Sequence, residues 1–269
     1  MKYYFNLNFL LCSISINFEN FESVYIEFFK KIYAVYFEDH PTYNCNHYQV
    51  SLHQNGNHFD FSGNIYEIKD LYNIIHFIVC DSICSSCNKQ NLMVLHASSF
   101  MLNNKSVLLS GIKSSGKTTT LLFFLKNGAV YTGDEIVVVS SSGIIPYQLP
   151  LRAKKSTIDF LKKQFSYEYE YHSLPYNISE KKQYLSLSRG IASQKIESWI
   201  KCDSLLFLNE GNSMQNLKSL TEYEAANRLL RCIRNKGSIS SGLSLLKEAK
   251  LYSTDFSVHL DELKRLLSE

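Results

Sequence analysis

Residues 110–124 read SGIKSSGKTTTLLFF, and Gly111 to Thr118 match the pattern G-x4-G-K-[ST] at every position. The apolar, strand-like run SVLLSG (106–111) leads into the match, and a run rich in Leu and Phe follows it to Lys126. A glycine loop between a strand and a helix turns backbone N–H groups inward, and the helix adds its positive amino-terminal end. The stretch therefore predicts a phosphate-binding loop in an α/β fold.

The loop predicts a role for each of its residues. We expect Lys117 to bridge the terminal phosphates of a nucleotide and the Thr118 hydroxyl to ligate magnesium. The expected cofactors are ATP and Mg²⁺, with pyrophosphate open as another phosphoryl donor. The predicted nucleotide-binding residues are Gly111, Ile112, Lys113, Ser114, Ser115, Gly116, Lys117, Thr118 and Thr119.

The metal also needs a carboxylate, and two segments offer one. Asp134-Glu135 follows the strand-like run AVYTG, close enough behind the loop for a helix and a return strand to bring it back beside Thr118. Asn209-Glu210 follows the apolar run LLFL but has Asn where a Walker B motif has Asp. We favour Asp134, with Glu135 beside it, as metal ligands; the alternative is a solvated acidic turn.

The rest of the chain predicts a small β-rich region over residues 1–65 and a nucleotide-binding domain over 66–269. YYFNLNF and HYQVSLHQNGNHFDF are strand-like, and the second contains an Asn-Gly turn signal of hairpin type. Residues 67–81 have apolar positions at helical spacing and predict a helix. MVLHASSFML and SVLLSG flank Asn103-Asn104-Lys105, which predicts a hairpin whose second strand enters the glycine loop.

The later part of the chain predicts one more buried strand and two more helices. SLLFLNE (204–210) predicts a buried strand, and Thr221-x-x-Glu224 predicts a capping box that begins a helix extending to about Arg234. FSVHLDELKRLLSE (256–269) predicts an amphipathic helix. YEYEY (167–171) alternates with a period of two and predicts an edge strand or flap, with a peptide-docking edge as the alternative.

Composition narrows the class of protein. The chain has 269 residues, 45% of them hydrophobic, and a net charge of +3. A charge this small, with scattered lysines, does not indicate a nucleic-acid partner, and no segment is apolar over enough residues to span a membrane. The apolar amino terminus is interrupted by Asn6, Asn8 and Asn17 and lacks a cleavage site, so we expect a β-hairpin or strand rather than a signal peptide and place the protein in the cytoplasm.

Seven cysteines favour reduced thiols over a disulfide framework. Cys80-x3-Cys84-x2-Cys87 has the spacing of a radical S-adenosylmethionine cluster site, but the phosphate loop follows too soon for the barrel of such enzymes. A zinc site would need a fourth ligand, and no candidate stands at a diagnostic spacing. We therefore expect ordinary thiols near a helix end.

Leu95 to Val139 resembles the nucleotide-binding core of HPr kinase/phosphorylase, a branch of the phosphoenolpyruvate carboxykinase-like P-loop fold. In that group a His-bearing strand precedes the loop and an acidic pair follows the next strand, as His96 and Asp134-Glu135 do here. The segments SLLFLNEG and LTEYEAANRLLRC are similar to the end of the same proteins. The resemblance covers about residues 65–265 and implies a mixed β-sheet.

The resemblance implies an ATP-dependent serine kinase that acts on a protein or peptide, with Asp134 as base or metal ligand, Glu135 as its partner and His96 assisting. Compact relatives of this kind resemble kinases of ribosomally made peptides. The glycine-rich segment of the phosphorylase reaction is replaced by IIPYQLPLRAKKST, so phosphorolysis is not expected. HPr kinases are hexamers, which leaves a homo-oligomer open.

Arg152, with Lys154 and Lys155, offers positive charge to the γ-phosphate or to an acidic acceptor, because arginine binds phosphate oxygens bidentately. The alternative is a solvated basic turn. Two other functions stay open at this point: a small-molecule kinase on the same core, and a non-catalytic module that binds nucleotide and a peptide.

Overall fold

The computed structural model describes residues 2–41, 46–112, 115–165, 171–172, 182–185, 196–209, 217–235, 237 and 239–254. It shows a mixed α/β protein with several helices and with sheets that combine parallel and antiparallel strands. The helices are α1 (Ser23–Ile32), α2 (Leu71–Lys89), α3 (Lys117–Lys126), α4 (Lys155–Phe165), α5 (Glu222–Leu230) and α6 (Ile239–Glu248). The strands are β1 (Lys2–Asn8), β2 (Cys12–Glu19), β3 (Phe37–Glu38), β4 (Asn46–Asn55), β5 (His58–Phe61), β6 (Asn64–Glu67), β7 (Met93–Leu95), β8 (Ala97–Leu102), β9 (Lys105–Ser110), β10 (Val130–Gly133), β11 (Val137–Ser140), β12 (Gly143–Pro146), β13 (Arg152–Lys154), β14 (Tyr171–His172), β15 (Lys182–Leu185), β16 (Ser204–Leu208), β17 (Lys218–Ser219) and β18 (Lys250–Thr254).

The amino-terminal region forms a six-stranded sheet in the order β3-β1-β2-β4-β5-β6. β1 and β2 form the expected hairpin, and β4 and β5 form the one predicted at the Asn-Gly turn. Gly56 has a φ of 59°, a conformation that glycine adopts without steric cost. Both predictions of strands in this region are confirmed.

Helix α2 is longer than the sequence suggested. It begins at Leu71 rather than at 67, where a short 3₁₀ turn precedes it, and it continues to Lys89 rather than ending at 81. Buried residues recur along its whole length, from Leu71 through Ile75 and Val79 to Ile83. Packing against the core therefore holds the Cys- and Ser-rich half in a helix that intrinsic propensity alone does not favour.

A second six-stranded sheet, in the order β10-β8-β9-β16-β18-β17, positions the candidate site. β8 and β9 form the predicted hairpin, whose turn residues Asn103 and Asn104 both have positive φ. β9 and β10 are each antiparallel to β8 and so run parallel to one another, joined by α3 as the sequence predicted. β16 is parallel to β9, so the carboxyl ends of β9, β10 and β16 meet at one edge.

The third sheet, in the order β12-β11-β7, corrects two predictions. The run MVLHASSFML is not one strand, because β7 pairs with β11 while β8 belongs to the second sheet, and His96 lies between them. The helix expected to extend to about Arg234 ends at Leu230. The chain then becomes extended, where Leu95 bridges Ile233 and the Arg234 N–H donates to the Val94 carbonyl.

One buried cluster joins the amino-terminal region to the rest of the chain. It contains residues of β1, β2, α1 and α2 together with Ile136, Val138 and Tyr147. Across this boundary the Gln148 backbone N–H donates to the Tyr36 hydroxyl at 2.8 Å. The predicted regions 1–65 and 66–269 thus share a hydrophobic core.

Some predictions fall outside the described residues. They are the helix over 256–269, Glu210, and YEYEY apart from Tyr171. Among the helices of the described residues, none combines the length and the apolar character that crossing a membrane requires.

Candidate functional site

The glycine loop joins β9 to α3 at the edge where the parallel strands end. Gly116 has a φ of 93° and immediately precedes α3. A Cβ on Gly111 would lie 2.6 Å from Ser115 Oγ and 3.0 Å from the Leu208 carbonyl, closer than real Cβ contacts allow. Both glycines are therefore required by local geometry, one by its backbone conformation and one by close approach. Lys113 and Ser114 lie outside the described residues.

Lys117 is buried inside this loop. Lys117 is 7% exposed. Its Nζ donates to the Gly111 carbonyl at 2.7 Å and to the Ile112 carbonyl at 2.8 Å. Burial lowers the pKa of Lys117, while Asp134 is the strongest of the groups that raise it. Main-chain acceptors of the loop thus fix the position of the ammonium group.

The donors around the loop suit phosphate. Within the described part of the chain, the buried hydroxyls of Ser110, Ser115 and Thr120 have no hydrogen-bond partner. Together with Lys117 and the amino-terminal end of α3, they form a set of donors that favours an anion with several oxygens. Thr118 and Thr119 are partly exposed in the first turn of α3. The residues present therefore fit a nucleotide phosphate.

Asp134 follows β10 at the same edge. It is 5% exposed, bridges Gln148 in the backbone and accepts a hydrogen bond from Ser98 Oγ at 2.5 Å. Burial and then the Glu135 charge raise the pKa of Asp134 to about 6, against the Ser98 hydrogen bond and the Lys117 charge. The two predicted site residues Asp134 and Lys117 thus act on each other electrostatically. A solvated acidic turn, the alternative for this position, does not describe a carboxylate buried to this degree.

Glu135 anchors two guanidinium groups. Arg234 Nη2 donates to its Oε2 at 2.7 Å, Arg152 Nη2 donates to its Oε1 at 3.3 Å, and His96 Nδ1 lies 3.4 Å from Oε2. Burial would raise the pKa of Glu135, but the positive charge of protonated His96 and of the two arginines lowers it to about 2. Glu135 is therefore ionised at neutral pH. Both of its oxygens already accept from arginine, which leaves less of the carboxylate for a metal ion. Its role as a metal ligand stays a prediction.

His96 lies at the break between β7 and β8. Arg234 Nη2 is 2.6 Å from His96 Nδ1, and because a guanidinium only donates, we assign the imidazole proton to Nε2. Burial, and then the charge of Arg234, lower the pKa of His96 to about 4. His96 is thus a neutral imidazole at pH 7 and a donor through Nε2.

Arg152 begins β13 and is held in place rather than solvated. Its side chain is 18% exposed, and its guanidinium carbon lies 5.5 Å from the centre of the Tyr72 ring. With the contact to Glu135, this places Arg152 in the same cluster as His96 and Arg234. The alternative of a solvated basic turn does not describe this residue.

Sequence reasoning missed Arg234. The sequence predicts a helix that extends to about Arg234, whereas the extended segment after α5 brings Arg234 to Glu135 and His96. No local signal identifies this position, because the pairing partner in β7 is far away along the chain. A cavity beside the loop was missed for the same reason.

This cavity has a volume of about 570 Å³. It lies between the start of the glycine loop, the end of β16 and one side of α5. Asn209, the position that would hold Asp in a Walker B motif, is on its wall and accepts a hydrogen bond from Arg228. The residues that line it are Gly111, Ile112, Phe207, Leu208, Asn209, Glu224, Asn227, Arg228, Arg231 and Cys232.

The cysteine triplet lies within α2. Cys80 and Cys87 are free thiols whose pKa burial raises to about 12 in each case, so they are protonated at neutral pH. In the described ranges, no three His, Cys, Asp or Glu side chains converge in a way that could hold a metal ion. Nothing in this arrangement favours a metal centre at the triplet.

Most of the predicted site residues meet at one edge of the second sheet. The loop, Asp134 and Glu135 lie there, and Glu135 connects them to His96 and Arg152. Neither a protein-family model nor a curated protein matches the chain.

Proposed function

We propose that this protein is an ATP-dependent kinase of the HPr kinase-like type, with a P-loop fold related to phosphoenolpyruvate carboxykinase, that phosphorylates a serine hydroxyl of a protein or peptide. One observation carries the proposal. A buried carboxylate, Asp134, and a loop ammonium, Lys117, follow from parallel strands at one sheet edge and shift each other's pKa. Phosphoryl transfer needs this combination of a base and neutralising charge.

The chain offers a separate group for each part of the nucleotide. The loop N–H groups, the hydroxyls of Ser110 and Ser115, and Lys117 would hold the phosphates. The Thr118 hydroxyl would hold Mg²⁺, which would supply charge neutralisation when bound, and the Asp134 carboxylate would be a nearby negative charge that attracts the ion. A magnesium ion keeps waters and phosphate oxygens as most of its ligands, so few protein ligands suffice.

Asp134 is placed to accept the proton of the acceptor. With a pKa of about 6 it is ionised at pH 7, yet basic enough to take a proton from a hydroxyl as that oxygen bonds to the γ-phosphorus. The bond from phosphorus to the bridging oxygen breaks, and ADP leaves with that oxygen. Two positive groups stand beside this centre, Arg152 and Arg234, which Glu135 holds. The neutral His96 stands there as a hydrogen-bond donor.

A small-molecule kinase is the second candidate, because a cavity of about 570 Å³ beside the loop has the size of a small-molecule site. A non-catalytic nucleotide-binding module is a weaker one, since it would have no use for a buried carboxylate with a raised pKa. A cytoplasmic location agrees with a need for ATP and with free thiols.

Labelled ATP tests the proposal directly. The protein, with Mg²⁺ and [γ-³²P]ATP, is incubated with a pool of serine-bearing peptides and, separately, with a pool of hydroxylated metabolites. We expect label in peptides, lost in Lys117→Ala and retained in the exposed control Lys247→Ala. Label only in metabolites would support the second candidate. ATP binding without any transfer, unchanged in Asp134→Asn, would refute the kinase.

A further inference from the structure

The cavity beside the glycine loop shares Gly111 and Ile112 with the proposed nucleotide site, but it extends to residues of β16 and α5 that the nucleotide site does not use. Its wall on the loop side contains Gly111 and Ile112, and these are the residues whose carbonyls accept from Lys117 Nζ. Cys232 also lines the cavity. A phosphoryl group held by Lys117 would therefore lie next to this cavity.

The charge available in the cavity is positive. Glu224, its acidic residue, is already committed, because it accepts from Lys218 Nζ at 2.8 Å and closes the capping box with Thr221. Within the described residues, neither Arg228 nor Arg231 forms an ion pair with a carboxylate. Two guanidinium groups one helical turn apart thus face a space that has no free counter-charge among the described residues.

A buried polar atom points to the same kind of ligand. Asn209 accepts from Arg228 through Oδ1, which leaves Nδ2 as a donor, and Nδ2 is buried with no partner in the described part of the chain. A buried donor without an acceptor is costly, and a ligand oxygen at this wall would satisfy it. Arg228, Arg231 and Asn209 together form a donor set for a carboxylate.

We propose that this cavity is the phosphoacceptor site, and that it selects a serine flanked by acidic residues in a peptide. The inference rests on the proposed kinase function and names its substrate class. A volume of about 570 Å³ admits the serine and its immediate neighbours but not a folded domain, so the acceptor enters as an extended segment. Arg228 and Arg231 bind its carboxylates and orient the hydroxyl toward the phosphoryl group.

Two synthetic peptides test this, acetyl-Ala-Glu-Ser-Glu-Ala-amide and its counterpart with Gln in place of both Glu residues. Calorimetry measures the binding of each to the full chain in the presence of Mg²⁺ and a non-hydrolysable ATP analogue. We expect the acidic peptide to bind at least tenfold more tightly than the neutral one. Arg228→Gln and Arg231→Gln should each remove most of that preference, Arg231→Lys should retain part of it, and Lys247→Gln should leave it intact.

Affinity for the ATP analogue, measured alone in the same variants, separates the outcomes. It should change less than twofold in Arg228→Gln and Arg231→Gln. A large loss would overturn the inference by assigning the arginines to the nucleotide, and equal or absent binding of the two peptides to the native chain would also overturn it. If the native chain does not bind the ATP analogue at all, the kinase function itself fails.

Discussion

Asp134 is buried beside a hydroxyl donor, Ser98, and a cation, Lys117, and this environment sets its chemistry. Because burial disfavours the charged form, the folded protein retains the Asp134 proton to about pH 6 rather than to the usual value near 4. Below that pH the group cannot act as a base. Activity should therefore depend on its ionisation.

We expect kcat/KM of the native chain to rise with pH through an acidic limb near pH 6. In Asp134→Asn, which removes the base, kcat/KM should fall by about 10² to 10⁴.

The raised pKa also affects stability. The charged form of Asp134 is unfavourable in the folded protein, so the native chain loses stability as pH rises through about 6. Asp134→Asn should therefore be no less stable than the native chain at pH 8. Initial rates over pH 5–8 and urea unfolding check both. A native profile that stays flat from pH 5 to 8 would contradict the assignment.

Glu135 has the opposite shift. Its pKa is lowered to about 2 despite burial, so it stabilises the fold above about pH 4.5 and loses that contribution as pH falls toward 2. Glu135→Gln leaves Arg152 and Arg234 without their carboxylate and should cost about 3 kcal/mol at pH 7. Urea unfolding of both proteins should show this difference shrinking between pH 4.5 and 3. A pH-independent difference would mean that shape, not charge, accounts for the loss.

The loop residues could be predicted from the sequence because their roles follow from adjacent positions. Arg234 could not be, because its guanidinium reaches Glu135 only through pairing of its backbone with Val94 in another segment. Long-range pairing of this kind leaves no periodicity to detect. The contacts made by His96 were hidden for the same reason.

At the scale of elements, β9, α3 and β10 were predictable. The spacing of the apolar residues and the positions of the turn residues indicate the same elements along this stretch. The break at His96 was not predictable, because β7 and β8 are equally apolar and only their different partners separate them. The early end of α5 has the same cause, since the chain leaves the helix to pair with β7. Its amino-terminal end, by contrast, follows from local capping chemistry.

Thr221 accepts a hydrogen bond from the Glu224 N–H, and Glu224 accepts from the Thr221 N–H, which closes the predicted capping box. We expect Thr221→Ala to reduce the free energy of unfolding by about 1 kcal/mol, and Thr221→Ser to retain most of it. Chemical denaturation of the three proteins measures this. Equal losses in the two variants would show that the Thr methyl group, rather than the cap, stabilises α5.

At the scale of the whole molecule, the amino-terminal sheet supports the site through a shared core. Tyr36 is 1% exposed and accepts from the Gln148 N–H, and Gln148 bridges Asp134 in the backbone. Strand-like runs and the glycine loop predicted a β-rich region and a nucleotide-binding region. They did not reveal the contact between the two regions, because the residues that meet are ordinary aromatic core residues in both.

Tyr36→Phe removes the acceptor of the Gln148 N–H, so we expect a loss of about 1–3 kcal/mol in stability and a lower kcat, since the backbone beside Asp134 loses an anchor. Tyr66→Phe, a partly buried tyrosine of β6, is the matched control. Thermal unfolding should show one cooperative transition in every variant. Two separate transitions in the native chain would mean that the amino-terminal sheet does not share its core with the site.

The most direct test of the account is a calorimetric titration of ATP into the native chain and Asp134→Asn, each with and without Mg²⁺. If the loop and Asp134 form one metal and phosphate centre, Mg²⁺ should tighten ATP binding to the native chain, and Asp134→Asn should lose that gain while retaining Mg²⁺-free binding. An undiminished Mg²⁺ effect in Asp134→Asn would place the metal elsewhere and contradict the proposed centre.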